Sequence, residues 1–100
     1  MATFDGKVVI VRSYASGVFA GEVVEVEPSG PGRQRVTLRK SRRLWYWVAA
    51  SGRALSGVAE HGLDLHKSKV DSVVTGLHQV DDVIEIIETS EAARRTIYGD

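Results

Sequence analysis

Arg42-Arg43-Leu44-Trp45-Tyr46-Trp47 is the segment of this chain best equipped for chemistry. Both tryptophans and one of the three tyrosines fall within three consecutive residues, directly after a basic run from Arg39 to Arg43. Flat rings beside guanidinium groups suit a base stacked on a ring with its phosphate held alongside. The same residue types suit a buried strand, since large rings usually pack into cores and Trp is seldom left in water. In a strand over 42–48, Arg43, Trp45 and Trp47 share one face, while Arg42, Leu44, Tyr46 and Val48 share the other. Each face then carries an Arg and a large ring, so the sequence leaves open which face is core.

A second group points the same way. Arg12 and Tyr14 close an apolar run ahead of the small-residue loop Ala15-Ser16-Gly17. If that loop lies near 42–47, Arg groups, the Ser16 hydroxyl, loop amides and rings converge on a minimal nucleotide site. Other chemistry is not signalled. His61, His66 and His78 lack the spacing of metal ligands. Asp81 and Asp82 are adjacent, and Glu85 and Glu88 differ in strand parity, so they read as a solvated edge rather than an acid–base pair. Gly52 to Gly57 is neither a phosphate-binding loop nor a dinucleotide fingerprint. No Ser has an evident His–acid pair and there is no Cys, so an enzyme is not expected and no cofactor is implied.

The elements that must position these residues are mostly strands. Lys7 to Arg12 reads as a largely buried strand. Val18 to Glu27 reads as a second, whose alternation slips near Gly21 as a β-bulge would make it. Pro28 to Gly32 is a turn. Arg33 to Arg39 is a third strand, and a bend at Lys40-Ser41 leads into the fourth, over 42–48. Arg53 to His61 reads as a short helix stopped by Gly62. Leu63 to Lys69 reads as loop. Ser72 to Thr75 is a candidate strand, Val83 to Glu88 a strong one, and Thr89-Ser90 offers an N-cap to a C-terminal helix. The expected fold is α+β: a mainly antiparallel curled sheet or small barrel of five to six strands, with one or two short helices, in a single domain over 1–100.

Thirteen Lys and Arg balance thirteen Asp and Glu. Neutrality argues against long nucleic acid or a membrane surface as the main partner. The charge is unevenly spread, however. From Arg33 to Arg53 there are basic residues and no acid, whereas residues 81 to 91 carry five acids and no Lys or Arg. A local cationic patch on a neutral body suits a small anion. Met1-Ala2-Thr3-Phe4-Asp5 has no secretory character, and no run reaches the ~20 apolar residues of a membrane helix. The expectation is a cytoplasmic protein. A chain of this size has little room for both a core and a wide pocket, which favours a homo-oligomer with pockets between subunits.

The stretch from Val9 to Gly21, the Arg42-Arg43-Leu44-Trp45-Tyr46-Trp47 segment and Val83-Ile84-Glu85-Ile86-Ile87 together resemble a widespread family of small bacteriophage proteins, collinearly over residues 7 to 95. That family is associated with anti-defence sponges, which assemble as oligomers and sequester the cyclic dinucleotide signals of CBASS immunity without cleaving them. The resemblance implies ligand-binding roles for Arg12, Tyr14, Ser16, Arg42, Arg43, Trp45, Tyr46 and Trp47. It also implies a phosphate-bearing cyclic dinucleotide (cyclic GMP–AMP-like) as partner, a dimer or tetramer, and a host-cell cytoplasmic location. Val48-Ala49-Ala50-Ser51-Gly52-Arg53 departs from the stretch that follows the aromatic residues in this family, and the 61–80 region matches it poorly. The competing readings are an inhibitor that binds a host protein, a small single-stranded nucleic-acid-binding domain, and an enzyme that degrades the signal.

Overall fold

Val8 to Val11 is apolar without alternation because both faces of its strand are covered. A computed structural model describes residues 4–46, 55–64 and 67–99. In chain order the elements are β1 (Val8–Ser13), β2 (Gly17–Gly30), β3 (Arg33–Tyr46), α1 (Leu55–His61), β4 (Lys69–Val70), β5 (His78–Glu88) and α2 (Glu91–Tyr98). All strand pairings are antiparallel. The order is β2-β1-β5-β3-β4, and β2 also pairs with β3. Four strands therefore close into a barrel, and β4 adds to β3 outside it. The sequence expectation of a small, curled, mainly antiparallel α+β fold is what the chain adopts.

Closure divides the apolar side chains into two sets. Val9, Val11, Phe19, Val23, Val36, Leu38, Val80 and Val83, all from strands, fill the barrel. Ile10, Val18, Ala20 and Leu44 point outward and pack on Val58, Ala59, Leu63 and Ile97 in and beside the two helices. Burial of each larger side chain contributes about 1.5–3 kcal/mol.

The strand that the sequence places at 33–39 and the one at 42–48 are a single strand as far as Tyr46; residues 47 and 48 lie outside the described set. At the expected bend, Lys40 takes a left-handed backbone, φ 58°. Across from it, Ala20 pairs with Arg42 and Glu22 with Arg39, so two steps on β2 face three on β3. This is a β-bulge, and it resets the alternation. Leu38 faces the barrel interior, and beyond the bulge Ser41 and Arg43 do so in place of Lys40 and Arg42. Gly21 sits opposite the bulge, where a Cβ would lie 3.0 Å from Leu38 Cβ. The bulge expected in the second strand at Gly21 is instead in β3: the extra residue is on the partner strand, and β2 keeps its alternation through Gly21.

Other boundaries move. Pro28 to Gly30 continue β2, leaving Pro31-Gly32 as the turn. The expected strand at 72–75 is absent: residues 71–77 are irregular and exposed. This segment still follows the edge of β3, with Asp71 N–H donating to Arg43 O and Val74 N–H to Ser41 O. Residues 53 and 54 of the expected first helix lie outside the described residues; its end at Gly62 is observed. Ser90 caps α2, its Oγ accepting from Ala93 N–H at 3.1 Å, and Gly99 closes the helix in a left-handed conformation. Among the described residues no helix is long and apolar enough to cross a membrane.

The Gly21–Leu38 approach yields a test. Gly21→Ala is expected to cost about 1–3 kcal/mol through overpacking, read as a lower denaturation midpoint in urea with an unchanged slope.

Candidate functional site

Strand pairing sets acids against Arg33, Arg35 and Arg39 of the cationic run. Arg33 sits 3.6 Å from Asp82, Arg35 lies between Asp81 and Glu27, and Arg39 meets Glu22 at 3.3 Å. The acidic run of β5 is therefore the counterpart of the basic run of β3, which β5 adjoins. Arg43 stands apart. Among the described residues it has neither a carboxylate partner nor a hydrogen-bond acceptor for its side chain. Its guanidinium carbon lies 4.6 Å from the Phe19 ring centre and 4.8 Å from that of Trp45. Phe19 is its cross-strand partner, and Trp45 follows on the same face of β3. Each such cation–ring contact contributes about 0.5–2 kcal/mol, so the group is held by its faces and its N–H edges stay uncommitted.

Those edges border an open cavity of about 450 Å³, lined by the loop from Ser13 to Val18 and by Arg43, Leu44 and Trp45. The β1–β2 hairpin puts the loop there, because Val18 pairs with both Arg12 and Leu44. Tyr14 is 74% exposed and Trp45 53% exposed, so two flat surfaces at the cavity face water. The loop is braced from within: Ser13 Oγ donates to Asp81 O at 2.7 Å and accepts from Ser16 N–H at 3.1 Å. Tyr14 N–H donates to Asp82 O. Two of the loop amides offered by the sequence are thus already used, while the Ser16 side chain remains at the cavity wall.

Of the eight residues singled out from the sequence, Tyr14, Ser16, Arg43 and Trp45 come together. Arg12 does not line the cavity; it points across β5, 3.9 Å from Glu85. Arg42 is turned to the opposite face by strand parity, where it donates to Ile97 O and Asp71 O. There it compensates the carbonyl end of α2, a role suited to a cation. Trp47 and the side chain of Tyr46 lie outside the described residues, as does His66. Three contributors were not singled out. Phe19 reads as core, Ser13 as loop, and Arg33 sits over the Tyr14 ring at 5.4 Å although it is distant in sequence. Only the register of β3 on β2 and β5 reveals them.

Beneath Arg43 lies a polar pair. The His78 ring meets Phe19 edge-on at 4.9 Å, and its Nδ1 is 2.7 Å from the Oγ of the fully buried Ser41. Burial, and next the charge of Arg43, hold the imidazole below its ordinary value near 6.5. His78 therefore stays neutral at pH 7. Among the described residues no group of three or more His, Asp or Glu is placed to hold a metal ion.

A family model described as a domain of unknown function (DUF6948) matches residues 6–97. The chain belongs to this family. No curated protein and no solved structure matches it. The DUF6948 match spans the whole barrel, α1 and α2 as far as Ile97, so the Arg43 cavity lies inside the family domain.

Two outcomes follow from this arrangement. Trp45→Ala is expected to change stability by less than about 1 kcal/mol, as surface substitutions do, whereas Phe19→Ala loses about 3–5 kcal/mol. Paired urea denaturation measures both. For His78 the lowered folded value means that the unfolded chain binds the proton more readily. Stability is then complete above pH 6.5 and falls as pH drops below it. His78→Asn removes that dependence, and Arg43→Gln moves the imidazole titration toward 6.5 by NMR.

Proposed function

We propose that the protein binds and sequesters a small phosphate-bearing nucleotide, a cyclic dinucleotide, without cleaving it. The observation that carries this reading is Arg43: a half-buried guanidinium held over two rings, with no acceptor for its donors among the described residues, at the wall of an open cavity. A guanidinium presents parallel donors to phosphate, and ordering it in advance lowers what the ligand must organise. Tyr14 and Trp45 supply exposed faces for a base, worth roughly 1–3 kcal/mol per stacked base. Ser16 adds a hydroxyl.

One such cavity offers one uncompensated arginine, while a cyclic dinucleotide has two phosphates and two bases. A twofold pair of protomers matches a ligand of twofold character, which is the physical argument for a homo-oligomer. In the setting that the sequence resemblance suggests, the protein is a phage sponge in the host cytoplasm that blunts CBASS signalling. Binding alone serves that role, and among the described residues the cavity wall holds no acid–base pair for turnover. The exposed rings also favour a second reading, an inhibitor docking on a host protein, because Tyr, Trp and Arg dominate interface hot spots.

Titration calorimetry with a panel of cyclic dinucleotides decides between them. The expected result is saturable heat from at least one, with ligand recovered intact after heat release. Arg43→Lys keeps the charge but removes the planar fork, and should weaken binding at least about tenfold. Arg12→Ala should bind nearly as the parent does. Absence of heat from every cyclic dinucleotide would overturn the proposal.

A further inference from the structure

A second and larger cavity, of about 590 Å³, lies on the other side of the Lys40 bulge, against α2. None of its lining residues is shared with the Arg43 cavity. Two cations on its wall, Lys40 and Arg94, have no carboxylate partner among the described residues. Arg94 makes one long contact, donating to Thr89 O at 3.4 Å. The wall's other charges are already matched. Arg95 pairs with Glu91 at 3.1 Å, and Glu22 with Arg39 at 3.3 Å. The remaining wall is apolar or aromatic: Val8, Val73 and Tyr98.

Tyr98 holds the bulge in place by donating from its hydroxyl to Lys40 O at 2.8 Å. Burial pushes this phenol up to about 12, so it remains a donor throughout the neutral range. Lys40 thus presents its ammonium from a fixed backbone, opposite a helix that supplies Arg94.

We infer that this cavity is a second binding site, for a small organic anion whose charge is held by Lys40 and Arg94 and whose flat or apolar part lies on Tyr98, Val8 and Val73. Two uncompensated cations call for an anion, and the apolar wall disfavours a fully hydrated inorganic one. Phosphate esters and carboxylates share this chemistry.

Amide NMR titration of the full chain with phenyl phosphate, benzoate and inorganic phosphate tests the site. At least one organic probe should give saturable shifts at the Lys40, Val73 and Arg94 amides and bind more tightly than inorganic phosphate. Lys40→Asn keeps a residue tolerant of the left-handed backbone. Combined with Arg94→Gln, it should weaken binding by roughly tenfold or more; Arg94→Gln alone serves if the double variant is misfolded. No saturable shift, shifts confined to Tyr14 through Val18, or binding indifferent to these substitutions would overturn the inference. This outcome is independent of whether a cyclic dinucleotide binds at Arg43.

Discussion

Closure of β2 onto β3 imposes a constraint that reaches every other part of the molecule. A four-stranded barrel is narrow, and its interior is filled by side chains alone. Strands such as β1 must therefore serve that interior with one face and the helical layer with the other. Polar groups are pushed to the rims and the outer wall. The rim beside the β1–β2 loop is where the interior face of β3 runs out of core, and Arg43 occupies that place, with Phe19 as the last apolar side chain beneath it.

Electrostatic matching follows from the same topology. By closing the sheet, β5 is set between β1 and β3. Its carboxylates meet Lys7 and Arg12 on one side and Arg33 and Arg35 on the other. Each pair is exposed and contributes little to stability, about 0–1 kcal/mol. Their larger effect is on where positive charge survives. Arg42 is taken up by carbonyl groups at the end of α2. Arg43, Lys40 and Arg94 are left without carboxylates among the described residues, and each borders a cavity.

Much of this was legible from residue order. The near-continuous apolar run of β1, the Ser90 cap and the Gly62 stop are local signals, and local physics decides them. Strand parity within the aromatic-basic segment separates Arg43 and Trp45 from Arg42 and Leu44, as the structure does. What sequence did not show was non-local. Whether Arg12 meets a ligand or Glu85 depends on the partner strand. Whether Phe19 underlies Arg43 depends on a register offset by one residue. The segment 72–75 has the composition of a strand, but β-propensity reflects packing on neighbours, and here the edge of β3 accepts only isolated hydrogen bonds. The patch read as cationic from Arg33 to Arg53 is partly cancelled by acids distant in sequence, as Arg35 and Asp81 illustrate.

The extra residue at Lys40 makes the chain behave like a code with a reading frame. Lengthening the hairpin tip at Pro31-Gly32 would leave every downstream side chain on its present face. Removing a single residue between Leu38 and Ser41 would rotate all that follows by half a strand period. Arg43 would then be driven under the helices and Leu44 onto the barrel-side face at the rim. Spacing from Leu38 to Arg43 is thus held more tightly by the fold than the identity of the side chain at position 40, and divergence here can proceed by replacement but not by change of length.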